Sequence, residues 1–441
     1  MTAPLPLLTE TEIRNIATDG AEYGYGCLRT ERGALPLAEM DVDARIIATF
    51  AHTTVRQVFI NNTGAPLEAT YIFPLPDRAA VTRFSMEVNG RVVEGVLEER
   101  GQARRTYDNA IAQGKRASIA EEERAGVFTI RCGNLMPGDR AAITIELSGA
   151  LPSADGEVTY RFPLVVAPRY MPGQILGGAS VGDGVAPDTS AVPDASRISP
   201  PVLLPGVPNP VRLSMSVELD PAGLPLSLVR SSLHAAYADD RGGRLVVRTQ
   251  AGERLDRDFI LRFKLGGDAL STSARVLRND GAFALTLLPA VEMTTQKPKD
   301  VVFVLDRSGS MEGWKMVAAR RATARMIDAL RSGDAFQVLA FDDKVECLPM
   351  SNDLVEASDR NRFRATEWLS HVNSRGGTEM APPLSRAADL LGGGYLERDR
   401  VLVFVTDGQV GNEAQLMKLL GQRLRGARVF ALGIDQAVNA A

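Results

Sequence analysis

Asp306, Ser308 and Ser310 stand at alternate positions where the apolar run Val301-Val302-Phe303-Val304-Leu305 ends. An apolar, β-branched run reads as a strand buried on both faces. Oxygen side chains at its carboxyl end suit a hard cation, Mg2+ first and Mn2+ or Ca2+ next. Two later segments can supply the rest. Thr378 follows the paired glycines Gly376-Gly377, and Asp407 lies in Thr406-Asp407-Gly408, which ends a second apolar run at 401–405. The carboxyl edge of an open α/β sheet is also where ligands bind. The competing reading for Asp306, Ser308 and Ser310 is a helix N-cap region, where such residues satisfy free N–H groups. One capping residue meets that need, whereas three alternating oxygens with two distant partners point to a cation. Hydroxyl ligands leave such an ion electron-poor, so an open coordination position would draw a carboxylate from a partner.

Arg307 sits between two of these positions and either orients an incoming acid or points to solvent, as most arginines do. Glu379, next to Thr378, and the pair Asp342-Asp343 either brace the site, act as intrinsic acidic plugs, or stay solvated as loop charges.

The elements that must position these residues alternate from Asp300 onward. Strands are expected at 301–305, 335–341, 345–349, 401–406 and 428–433, and helices near 313–331, 359–371, 381–391 and 412–425. This is the pattern of a mostly parallel, doubly wound sheet with helices on both faces. In the first helix Ala319, Ala322, Met326 and Leu330 form the expected inward stripe. The short link Asp342-Asp343-Lys344 implies an antiparallel hairpin at one edge of the sheet.

The first part of the chain reads as β. After a polar, Gly-rich segment at 1–30, alternating strands begin near Ala44. Asn89-Gly90 between two apolar-polar runs signals a hairpin with a type I′ turn, and Ala103, Tyr107, Ala110 and Ile111 share one helical face. Strands resume on either side of Pro137-Gly138, giving a β-sandwich with one helix. Residues 174–210, rich in Gly, Pro, Ser and Asp, read as a linker. Strand text returns at 211–219, 244–248, 258–264 and 282–288, a small antiparallel β module completed by strands from either neighbour.

Asp-x-Ser-x-Ser, a distant Thr after two glycines, and Thr-Asp-Gly together resemble the metal-ion-dependent adhesion site of von Willebrand factor type A (VWA) domains, with all five positions present. A second resemblance covers about Ala44 to Gly173 and is to the vault-protein/inter-α-trypsin (VIT) domain. It is carried by Thr53-Thr54-Val55-Arg56-Gln57-Val58-Phe59, Tyr71-Ile72-Phe73-Pro74-Leu75-Pro76, Asn89-Gly90-Arg91, Tyr107-Asp108-Asn109-Ala110, Gly114-Lys115-Arg116-Ala117, Asn134-Leu135-Met136-Pro137-Gly138 and Arg169-Tyr170-Met171-Pro172. The order VIT then VWA resembles inter-α-trypsin inhibitor heavy chains and their bacterial relatives. The implied organisation is an N-terminal segment at 1–30, a VIT domain at 31–173, a linker at 174–210, a β module at 211–295 and a VWA domain at 296–441, multi-domain α+β overall. VWA domains commonly continue beyond where Gly433 and the last eight residues stand, so the final domain is expected to be incomplete. The resemblance implies metal-dependent capture of an acidic group on a partner protein, as in cell adhesion. The alternative is an assembly subunit of a larger complex with a structural metal site. Hyaluronan attachment is not implied, because the Asp-Pro-His-Phe motif for it is missing.

Composition removes other classes. A net charge of −4 without a basic cluster gives no reason to expect nucleic acid. Most of the basic residues are arginine, which fits the coding bias of a GC-rich bacterial genome. Cys27, Cys132 and Cys347 are far apart and odd in number, which speaks against zinc and against a disulfide framework. The start, Met1-Thr2-Ala3-Pro4-Leu5, has no basic n-region and does not read as a signal peptide, although relatives of this architecture are often exported or at the cell surface. No stretch has transmembrane length. His52, His234 and His371 lie in different segments and no Gly-x-Ser-x-Gly elbow occurs. Phosphoryl-transfer folds generally use an Asp where this chain has Ser308. The chain therefore reads as a binding protein and not an enzyme.

Overall fold

The computed structural model describes residues 25–30, 33–61, 64–74, 76, 79–124, 127–154, 157–164, 169–182, 184–199, 202–203, 212–250, 253, 258–267, 270–276, 283–288, 297–392, 397–410, 416, 418, 420–421 and 423–434. The expectations for 1–24 and for half of the helix at 412–425 lie outside them.

Alternation builds the first half. Glu39–Ile47 sends Met40, Val42, Ala44 and Ile46 inward and its polar residues outward. It pairs antiparallel with Phe50–Ile60, which pairs with Arg140–Ala150, then Ala80–Val88, then Arg91–Glu94. The last turn is the expected one: Asn89 and Gly90 have φ of 51° and 76°, the left-handed values a type I′ turn requires. On its other edge Glu39–Ile47 pairs in parallel with Arg212–Asp220, which continues to Leu245–Thr249 and Ala236–Asp240. Strands read as a separate module thus extend the same eight-stranded sheet. Glu157–Phe162 likewise pairs with Phe259–Leu265. One apolar core, including Val55, Ile130, Ile143, Val217 and Phe263, serves all of them.

The helix falls at Arg100–Ala112, capped by the Glu99 carboxylate accepting from the N–H groups of Gly101 and Gln102. Tyr107 is its buried residue and donates to Glu68 at 2.7 Å. The segment read as a linker is instead folded between Met171 and Ser199. Asp188 accepts from the N–H groups of Val181 and Ser196, Thr189 bonds Pro172 and Val192, and Val192, Ala195 and Ile198 form a small core of their own. Its polar residues are short side chains that satisfy nearby backbone groups, a role composition alone does not separate from a solvated linker.

In the second half, five strands form the path Val345–Cys347, Ala335–Phe341, Lys299–Asp306, Asp399–Thr406 and Arg428–Gly433. All pairings are parallel except the edge hairpin between the first two. Lys299–Asp306 is central and buried throughout most of its length. Val301, Phe303 and Leu305 enter one core, and Val302 and Val304 enter the other. The helices are Trp314–Asp328, Asp359–Ser370 and Ala381–Gly392. In the first of them the buried stripe is Met316, Ala319, Thr323 and Ile327, rotated from the expected one, with Ala322 and Met326 only half-buried. Thr323 can face the core because its hydroxyl donates to the Ala319 carbonyl at 2.9 Å. Among the described residues no helix is long and apolar enough to cross a membrane.

Candidate metal centre

The central strand carries Asp306 to the sheet's carboxyl edge and leaves it fully buried. There the chain must turn at once. Arg307 donates its N–H to the Phe341 carbonyl at 2.9 Å, and Ser308 donates its N–H to Asp306 Oδ1 at 2.8 Å. Met311 plugs into the core below and fixes the short turn Gly309–Met311. Ser308 is buried, whereas Ser310 is exposed and marks the mouth of the site.

Three of the five expected ligands are linked side chain to side chain, and Asp306 joins them through the Ser308 N–H. Ser308 Oγ and Ser310 Oγ lie 3.1 Å apart, and Ser310 Oγ donates to Asp407 Oδ1 at 3.0 Å. Thr406 bridges the two carboxylate-bearing strands: its hydroxyl donates to Asp306 Oδ2 at 2.5 Å and accepts from Gly408 N–H at 3.0 Å. Thr378, also buried, arrives through its loop, because Gly309 donates its N–H to the Gly376 carbonyl at 3.1 Å. Gly376 has φ of 71°, and a Cβ there would stand 3.0 Å from Asp343 Oδ1 and 3.1 Å from Asp342 Cβ. Only glycine fits both the backbone and the space.

Arg307 is buried and does not point to solvent. Its Nη1 donates to Glu346 Oε2 at 3.0 Å, and Nε lies 3.0 Å from Asp342 Oδ2, an ionic contact off the hydrogen-bond axis. Arg375 completes the cluster, donating Nε to Asp342 Oδ2 at 2.8 Å and its backbone N–H to the Arg307 carbonyl at 2.7 Å. Asp342 is therefore no solvated loop charge. Burial pushes its carboxyl up, but Arg375 and the Lys344 N–H outweigh that and hold it at about 2. The cluster ties the Asp306–Ser310 turn, the Asp342–Lys344 hairpin and the Gly376–Thr378 loop together. Glu379 donates its N–H to the Asp342 carbonyl at 2.9 Å, and its side chain is half-buried.

Lys315, Thr406 and Arg375 are residues that sequence reasoning did not single out. Lys315, from the first turn of the helix Trp314–Asp328, is buried and donates Nζ to Asp407 Oδ2 at 2.8 Å. Asp306 takes two hydrogen bonds and, among the described residues, no ion pair. Burial, with the Asp407 charge adding to it, pushes its carboxyl up to about 6 despite those bonds. A buried carboxylate without a counter-charge is costly, and a divalent cation among these oxygens would supply one. The two aspartates and Lys315 leave the site one negative charge; with a divalent cation it carries one positive charge. Among the described residues no three His, Cys, Asp or Glu converge, so the donor set is hydroxyl-rich and hard.

A parallel, doubly wound sheet whose carboxyl edge gathers Asp-x-Ser-x-Ser, Thr and Asp defines a VWA domain, and residues 301–409 match the family model of that name. Residues 37–147 match the vault protein inter-alpha-trypsin domain. The chain therefore carries a VIT domain followed by a VWA domain, and its relatives include inter-alpha-trypsin inhibitor heavy chains. It is 25% identical over 445 residues to human von Willebrand factor A domain-containing protein 5A, covering 94% of this chain and 54% of the relative. It is 24% identical over 363 residues to mouse inter alpha-trypsin inhibitor heavy chain 4, covering 82% and 36%. The chain thus spans about half the length of these curated relatives or less. Among solved structures, a von Willebrand factor type A protein from Catenulispora acidiphila aligns at 24% identity with a TM-score of 0.31, covering 39% of this chain and 38% of that one.

Proposed function

We propose that the chain is a binding protein whose VWA domain uses a divalent cation, Mg2+ before Mn2+ or Ca2+, to capture a carboxylate on a partner protein. The observation that carries this is the charge balance around Asp306. Its carboxylate is fully buried without an ion pair among the described residues, and its neighbour Asp407 is already paired to Lys315. The hydroxyls of Ser308, Ser310 and Thr378 and the carboxylates of Asp306 and Asp407 would hold the ion. Bound there, it would supply a Lewis-acidic position for an anionic ligand. Residue by residue, the chain's own part is structural. Thr406 and the Ser308 N–H orient Asp306, Lys315 orients Asp407, and the Arg307–Asp342–Arg375 cluster fixes the three loops. The reading assigns no catalysis to the site.

Calorimetric titration of Mg2+ and Mn2+ into metal-free protein tests this, beside Asp306→Ala. Saturable binding in the wild type, weakened at least about 100-fold in the mutant, is expected. Equal binding by a folded Asp306→Ala protein would remove the proposed centre.

A further inference from the structure

The first half of the chain reaches the metal face. Arg169–Tyr170 pairs in parallel with Gln409–Val410, so this short strand abuts the segment that follows Asp407 and Gly408. The Tyr170 ring continues across to the Thr378 loop. Its hydroxyl lies 3.4 Å from where a Cβ on Gly377 would stand, two residues before Glu379, whose carboxylate is near enough to raise the phenol. One segment of the VIT side thus touches two of the three ligand-bearing loops.

Glu379 is the residue this contact acts upon. Adjacent Cα atoms are about 3.8 Å apart, so a glutamate beside a metal-binding threonine is within reach of the ion unless its side chain is held elsewhere. Its backbone is pinned to Asp342, which leaves the side chain as the part free to choose. Burial, then the charge of Glu379, raise the Tyr170 phenol above its ordinary range, so the hydroxyl keeps its proton and serves as donor.

Resting on the metal-capture reading above, we propose that Tyr170 holds the Glu379 carboxylate off the cation and so keeps one coordination position open for a partner. The VIT segment is then a positioning element of the VWA site. Without it, Glu379 becomes an internal ligand that competes with a partner's carboxylate.

The test uses Mn2+ alone, titrated into the full chain as wild type, Tyr170→Phe, Glu379→Gln and the double variant. Affinity is read by calorimetry, and metal-bound water by water-proton relaxation. Tyr170→Phe is expected to bind Mn2+ about fivefold tighter, since an added anionic ligand raises cation affinity, and to carry fewer exchangeable waters. Adding Glu379→Gln should return both readouts to wild-type values. Unchanged affinity and water count in Tyr170→Phe would overturn the proposal while leaving the metal site standing. A gain that survives Glu379→Gln would overturn it as well. Equal Mn2+ binding by wild type and Asp306→Ala would instead sink the metal-capture reading, and this one with it.

Discussion

The two ends of the VWA sheet are both rich in acids, yet they differ in how charge is settled. At the amino end, a groove of about 590 Å³ is lined by Asp300, Asp334, Asp353 and Asp389 among others. Asp300 is paired with Arg398 at 2.7 Å, and Asp334 accepts from the backbone N–H groups of Lys299 and Arg331. Asp389 is paired with Arg423. At the carboxyl end Asp306 is more deeply buried than any of these and has hydrogen bonds without an ion pair among the described residues. A cluster of carboxylates is therefore a poor marker of a cation site. Asp334 too is buried and without an ion pair among the described residues, so the informative feature is such a carboxylate standing beside a second one and hydroxyls that can share a cation, as Asp306 does.

Three changes break or sharpen that contrast beyond the Asp306 test. Lys315→Met removes the cation paired with Asp407 and should act most strongly. Metal-free protein should lose about 3 kcal/mol in denaturant unfolding, the cost of stranding a buried charge. Mg2+ affinity should rise about tenfold as the site becomes more negative. A fall in affinity would mean that Lys315 holds Asp407 in place for the metal.

The second change is pH. Asp306 titrates higher in the folded protein, near 6, than its ordinary 3.8. The metal-free fold is therefore favoured while the group is protonated and loses stability as pH rises from about 4 to about 6, by up to about 3 kcal/mol. Bound Mg2+ should abolish that loss. Mg2+ affinity should fall about tenfold for each unit below pH 6, because protons compete for the carboxylate. A pH-independent affinity between 4 and 7 would show that Asp306 is not a ligand. The smallest effect is expected at the other end. Asp300→Asn should cost about 1 kcal/mol in unfolding and leave Mg2+ binding unchanged, since its partner Arg398 is partly exposed.

What the sequence made legible follows from where each signal is encoded. The buried strands, the edge hairpin and the Asn89-Gly90 turn are written in contiguous residues, and local periodicity or turn chemistry suffices to read them. The candidate ligands were legible because oxygen side chains at strand ends stand out against apolar runs. Lys315 was not, since its role depends on the rotation of the helix Trp314–Asp328 toward a residue on another strand. Thr323 hid the true stripe of that helix in the same way, as a polar residue satisfied by the backbone. Arg307 and Arg375 take their meaning from Asp342 and Glu346, which only tertiary structure brings near them. The join between Glu39–Ile47 and Arg212–Asp220 was invisible because both strands have ordinary alternation and nothing local names their partner.

That join sets an order on synthesis. As the ribosome emits the chain, Glu39–Ile47 can pair with Phe50–Ile60 at once, but its other edge stays open until Arg212–Asp220 has emerged. An uncovered edge with alternating apolar residues is a template for pairing with other chains. A fragment ended at residue 147, where the VIT match stops, would keep that edge permanently exposed. The nascent protein thus has a window of vulnerability that closes only when the strand after the folded loop arrives.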